Sequence, residues 1–346
     1  MSSQAPAPDA VTLPAATPAV PKTVDRVQVT RGLACLLLVL FHVVGGKADD
    51  GLRIADASIG RQILDVLLYV RMPLFAFISG YVYALKPLDP ARPGPFLQGK
   101  LRRLALPLFS ATTIFYLVAL ARAPMPPADA ALGLLHAYVF SYEIYWFLQA
   151  MLLIFLLLPL LERFLLHSAI GCALAVVIAF LLTVPAEPLN FLSINGAAFL
   201  APFFFIGVAA RRFIGTLRPS WTWALLAILT VAFALHAYNV ATMPPHMGAR
   251  RGTILSLLIG GITPLLLIAH APKIALLARI GASSFAIFLF HIFFIVAMRM
   301  ALQKIGIDAF AIHLITGLAA AIAGPMLLEA VLAKGKVTRR LFLGLR

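Results

Sequence analysis

The sequence predicts an all-α fold, a polytopic membrane helix bundle of about ten transmembrane helices, and three observations carry that prediction. Of its 346 residues, 62% are hydrophobic and only 12% charged, with a mean hydropathy of +0.98, which is too apolar for a soluble domain. Apolar runs long enough to cross a bilayer recur along the whole chain. Lysine and arginine gather at the ends of those runs, as topology signals do. The net charge of +15 therefore reads as contact with anionic headgroups, and no nucleic-acid partner is expected.

Residues 1–25 are rich in Ala, Pro and small polar residues. They hold no apolar core of the kind a cleavable signal needs, and are expected to be a disordered cytoplasmic tail. Residues 26–335 then read as one transmembrane domain, with spans near 27–45, 63–85, 104–121, 144–166, 169–185, 197–214, 220–239, 253–270, 280–300 and 310–332, and residues 336–346 as a basic cytoplasmic tail.

The first span begins RGLACLLLVLFH. Its Arg31 and His42 are eleven residues apart, which at 3.6 residues per turn returns them to nearly one helical face, ~16 Å apart along the axis. The second contains RMPLFAFISGY, where Pro73 and Gly80 can bend a helix if neighbours satisfy the backbone, and where Arg71 lies at about the depth of His42. A Pro/Gly-rich turn follows and ends in Lys100, Arg102 and Arg103. Residues 124–143, weakly apolar and containing His136 and Glu143, read as a surface or re-entrant helix. The ninth span carries His291 in ASSFAIFLFHIFF. Cys35 and Cys172 fall inside apolar runs without metal-ligand spacing, so they read as small buried hydrophobes, with no disulfide and no metal site. Trp146, Trp221 and Trp223 suit an interfacial belt.

With the N-terminus inside, the cytoplasmic segments hold eighteen Lys and Arg and the outer segments eight, leaving out the intramembrane Arg31 and Arg71. The positive-inside rule then puts both termini in the cytoplasm, Arg31 near that face and His42 near the outer one.

Ionisable groups inside a span are costly and mark functional sites or helix-packing contacts. One chemistry that fits is transfer from a coenzyme A thioester entering from the cytoplasm, its pantetheine arm matching the axial gap between Arg31 and His42. His42 would be the general base on an acceptor hydroxyl, and Lys100, Arg102 and Arg103 would meet the donor's phosphates, although topology alone also explains such a cluster. Glu143 would orient a histidine or simply be solvated. Arg71 has three readings: stabilising an oxyanion, pairing with Glu143, or snorkelling outward. His291 suits a helix-to-helix hydrogen bond as well as a site. There is no Walker-type loop, HExxH or G-x-S-x-G.

RGLACLLLVLFH at 31–42, MPLFAFISGY at 72–81, KLRRLALP at 100–107, YWFLQAMLL at 145–153, APFFFIG at 201–207 and GASSFAIFLFH at 281–291 occur in that order. In this the chain resembles the acyltransferase-3 family of membrane O-acyltransferases, most nearly its fucose 4-O-acetylase-like branch. The resemblance implies a multi-pass protein of the bacterial inner membrane. It implies transfer of an acyl group, commonly acetyl from acetyl-CoA as co-substrate with no permanently bound cofactor, to a carbohydrate hydroxyl during surface-polysaccharide maturation. Polysaccharide-synthesis proteins are then possible partners. It places the essential histidine at His42, its paired arginine at Arg31, and the R-x-x-R feature on Lys100 to Arg103, with Lys in first place. The residue before MPLF, often His in this branch, is Arg71 here, and the Tyr of S-x-x-x-Y-L-x-H is Phe288. Ser79, Glu143 and His291 are supporting candidates. The SGNH-type hydrolase domain that many members carry after the membrane part is not expected here. Two other classes stay open, a transporter or flippase of a polar solute and a scaffold for a polysaccharide-synthesis complex.

Overall fold

Asp25, Ser58, Ser168 and Thr253 each open a helix by accepting a backbone N–H of its first turn. The computed structural model describes residues 25–183, 190–215, 217–244 and 247–346. The expected disordered tail lies outside these, except for Asp25, whose carboxylate accepts the Val27 N–H at 2.9 Å and caps the first helix.

The helices are α1 (Arg26–Val44), α2 (Ile59–Val66), α3 (Leu68–Leu85), α4 (Gly94–Lys100), α5 (Leu106–Arg122), α6 (Pro127–Val139), α7 (Trp146–Phe164), α8 (Ala169–Leu181), α9 (Ile194–Ala209), α10 (Pro219–Thr242), α11 (Ile254–His270), α12 (Ala275–Ala282), α13 (Ser284–Lys304), α14 (Phe310–Leu332) and α15 (Lys336–Leu343). No strand forms among the described residues, where extended pairing is limited to an isolated Phe140–Phe191 bridge. Among the described residues, eight helical segments are long and apolar enough to span a membrane, and α8 and α11 are shorter apolar helices. Several spans are composite. α2 and α3 run on through Leu67, and α4 passes into α5 through a π-helical turn, Leu101–Ala105, that carries Arg102 and Arg103. Such π turns recur at functional positions.

α1 lies at the centre, packed against α3, α11, α12, α13 and α14. Around it, Leu38, Leu74, Phe75, Leu148, Phe204 and Leu289 are buried in one continuous core. Leucine, isoleucine and valine on α7, α8, α10 and α14 face outward. Hydrocarbon can accept such a surface, whereas water would not.

Without a hydrophobic drive between helices in lipid, close backbone approach has to come from small residues, and two reciprocal glycine pairs supply it. A Cβ on Gly32 of α1 would lie 2.0 Å from the Leu277 carbonyl oxygen of α12, and one on Gly281 of α12 would lie 1.9 Å from that of Gln28. Gly80 of α3 and Gly207 of α9 are related in the same way to the Phe204 and Phe77 carbonyls, at 1.9 and 2.1 Å. Because backbone cannot yield as a side-chain tip can, Gly80→Ala is expected to lower the thermal midpoint of the detergent-solubilised protein sharply. Gly99→Ala, where nothing lies within 4 Å, should leave it unchanged in the same fluorescence melt.

The segment 336–346, expected only as a basic tail, contains a docked helix. Ser110 Oγ donates to Leu341 O at 2.8 Å, Leu343 is buried, and the Phe342 ring lies 6.3 Å from that of Phe290.

Candidate active site

Gly45 ends α1 with φ of +95°, and its N–H reaches Phe41 O at 2.8 Å. The chain then doubles back, with Leu52 N donating to Val44 O at 3.0 Å and Arg299 Nη1 of α13 donating to Gly51 O at 2.6 Å. This turn ties the end of α1 to α13 and fixes what the two helices present to each other. What they present is a pair of imidazoles: His42 and His291 have ring centroids 5.0 Å apart with planes inclined at 50°.

The two rings differ in their surroundings. His291 is fully buried, and its Nδ1 lies 2.7 Å from Ile287 O and 3.0 Å from Phe288 O. Carbonyl oxygens only accept, so Nδ1 carries the hydrogen and the neutral ring keeps its lone pair on Nε2. That Nε2 is buried without a hydrogen-bond partner among the described residues. His42 is half-buried and bonds to no described residue through either nitrogen. One imidazole is thus locked by its own helix, while its neighbour keeps both nitrogens clear of described partners.

Arg71 enters from α3. Its guanidinium carbon lies 3.6 Å above the centre of the Phe41 ring, which meets His42 edge-on at 5.0 Å between centroids. Arg71 is buried and makes no hydrogen bond or ion pair to a described residue; the charges that bear on it are Arg251 and Asp65. The structure therefore brings together His42, His291 and Arg71 at one end of the bundle, and Arg71 is not paired with Glu143.

Glu143 and Ser79 stand apart from this centre. Glu143 is exposed at the head of the short turn Glu143–Tyr145, with a left-handed φ of 45°, and the charge that bears on it is Asp50. Ser79 Oγ donates to Phe75 O within its own helix at 2.8 Å, which leaves it a helix-internal group.

The other end of the bundle is cationic. Arg31 is half-buried, with Arg103 among the charges bearing on it. Lys100 is half-buried with its ammonium 3.7 Å from the centre of the Phe155 ring and 5.3 Å from that of Phe96, a cation–π setting. Arg102 Nε donates to Gly344 O at 3.4 Å, so the C-terminal helix leans on the π turn. Arg31, Lys100, Arg102 and Arg103 thus share one end of the bundle, and His42 lies at the other end of α1. Among the described residues no three His, Cys, Asp or Glu come together as a metal site would require.

The acyltransferase-3 family, described as an acyltransferase domain, matches residues 24–330. The chain belongs to this family. An acyltransferase-3 member with eight spanning-length helices is a multi-pass membrane acyltransferase. No curated protein and no solved structure matches the chain.

Three features of this acyltransferase escaped sequence reasoning. Phe41 is the platform for Arg71, and only the residue preceding His42 hinted at it. Arg251 contacts aromatic rings and bears on Arg71, whereas in the sequence it is one of the eight Lys and Arg of the outer segments, lying between the spans at 220–239 and 253–270. Glu162, Arg212 and Tyr83 form a hydrogen-bonded knot across α7, the π-helical turn after α9, and α3. Their signal was an acidic residue surviving near the end of a span.

Proposed function

We propose that this protein is an acyl-CoA-dependent O-acyltransferase of the fucose 4-O-acetylase-like branch. In this reading it moves an acyl group, most simply acetyl from acetyl-CoA, to a hydroxyl of a carbohydrate or polysaccharide precursor. The observation that carries the proposal is the His42–His291 pair beside Arg71 in a chain of this family. It would work in a bacterial inner membrane with both termini cytoplasmic, so that the Arg31 end meets the donor.

In this mechanism His42 removes the acceptor hydroxyl proton as that oxygen attacks the thioester carbonyl. The C–O bond forms, the C–S bond breaks, and coenzyme A leaves as thiolate, taking up the proton that His42 held. The two rings, 5.0 Å apart between centroids, are close enough that a turn of the His42 ring would bring one of its nitrogens to the unpartnered Nε2 of His291. His291 Nε2 would thus accept from one nitrogen of His42 and aim the other at the acceptor, which makes His291 a positioning residue. Arg71 would face the oxyanion of the tetrahedral intermediate. Arg31, Lys100, Arg102 and Arg103 would hold the donor's phosphates, the arginines by their planar forks and Lys100 as a point charge.

Mass spectrometry of surface glycans and lipid-linked sugars, from cells with and without the protein, tests the reaction. An acyl mass increment present only with the protein identifies both group and acceptor. Its absence from every fraction would return the transporter reading to the front. For the donor end, Arg102→Ala with Arg103→Ala is expected to raise the KM for acetyl-CoA roughly tenfold while kcat moves by less than about twofold, since lost charge-assisted contacts weaken ground-state and transition-state binding alike. Steady-state thiol release measures both constants.

A further inference from the structure

The His42 end of the bundle also holds a cavity of about 380 Å³, lined among others by Ser141, Trp146, Thr183, Asn190, Asn195 and Arg251. Its wall is preorganised. Ser141 Oγ lies 2.9 Å from Ser193 Oγ, which donates to Gln149 Oε1 at 2.6 Å, while Gln149 Nε2 donates to Tyr138 O at 2.8 Å. Trp146 packs close against α9 because residue 196 is glycine; a Cβ there would stand 2.7 Å from the indole ring. Within this fixed wall, the side-chain amides of Asn190 and Asn195 make no hydrogen bond to any described residue.

An aromatic face, two amides and hydroxyls in a space of this size suit a ligand of about one sugar ring. The charge goes further. The Arg251 guanidinium carbon sits 5.2 Å from the centre of Trp146 and 5.0 Å from that of Phe199, and it makes no ion pair with a described residue. Behind it, Arg71 is near enough to feel its charge and that of Asp65, and makes no ion pair with a described residue. Among the described residues neither cation, one in the cavity and one beside His42, contacts an anion, and this leaves a place where negative charge is stabilised.

We infer that this cavity is the acceptor site and that its acceptor is anionic, a sugar-sized ligand bearing a carboxylate or a phosphate that Arg251 neutralises. Only the word acceptor rests on the acyl-transfer reading; the anion preference does not.

The chain has three tryptophans, and Trp221 and Trp223 are exposed, at 62% and 72%, on α10. A Trp221→Phe, Trp223→Phe protein therefore reports on Trp146 alone. Its emission would be titrated with glucuronate, glucose 1-phosphate and glucose, in detergent at low salt. At least one anion is expected to bind about tenfold or more tighter than glucose, and which of them does so separates carboxylate from phosphate. Arg251→Gln should bring that preference within about twofold of unity, and salt should weaken it. Equal affinities, no titratable response to either anion, or a preference that survives Arg251→Gln would overturn the inference. Anion preference without acyl transfer would leave the site standing and sink the acyltransferase mechanism, and acyl transfer without anion preference would do the reverse.

Discussion

Replacing His42 with Ala is expected to reduce acyl transfer about 10²–10⁴-fold, the range that positioned general bases contribute, at matched abundance in the membrane. The residue is half-buried and makes no hydrogen bond to a described side chain or backbone group, so its removal opens little core and breaks no internal bond. The loss should therefore fall on kcat, with the thermal midpoint close to wild type. His291→Ala offers a graded comparison: it removes a fully buried ring together with its contacts to Ile287 and Phe288 carbonyls, and so costs stability as well as rate. His291→Asn, which keeps a donor in place of Nδ1, should restore stability more than rate, because the acceptor atom facing His42 is not reproduced. Thiol release and product mass spectrometry on the same membranes read all three variants. Wild-type transfer by His42→Ala would exclude this histidine as the base.

That outcome depends on contacts of two kinds, and sequence discloses them unequally. Arg31 and His42 lie on one helix, so their register follows from helical period alone. The approach of His42 to His291 joins α1 to α13 and depends on the turn at Gly45 and the Arg299–Gly51 bond, which no local pattern encodes. The spans show the same contrast. Hydropathy finds the apolar runs, because the bilayer demands length and apolarity. It does not find the break at Ser283 between α12 and α13, since both sides are equally apolar. Nor does it find the docking of α15, whose basic face hides the buried Leu343. Arg251 illustrates the limit for charges: counting by side assigns it to topology, and only the fold places it between Trp146 and Phe199.

The second large effect belongs to the knot at the Arg31 end. Arg212 Nη1 donates to Glu162 Oε1 at 2.8 Å and Nη2 to Oε2 at 3.1 Å, while Tyr83 Oη donates to Oε2 at 2.7 Å. The pair is largely shielded, with side-chain exposures of 15% for Arg212 and 9% for Glu162. Breaking such a pair leaves an uncompensated charge, so Glu162→Gln or Arg212→Met alone is expected to cost about 3–5 kcal/mol. The joint change Glu162→Leu with Arg212→Met removes both charges and should recover most of that loss, a coupling that a double-mutant cycle of denaturation midpoints would read. Additive losses would mean that the pair is solvated and weak. The knot also bears on the proposed donor end: the Tyr83 ring packs at 5.7 Å from Phe96, and Phe96 at 6.2 Å from Phe155, the two rings beneath the Lys100 ammonium. The apolar pair variant should therefore fold and yet bind acetyl-CoA less tightly than wild type, because Tyr83 loses the carboxylate that holds this aromatic shelf in place. A variant with restored stability and wild-type KM would confine the knot to folding and detach it from the donor.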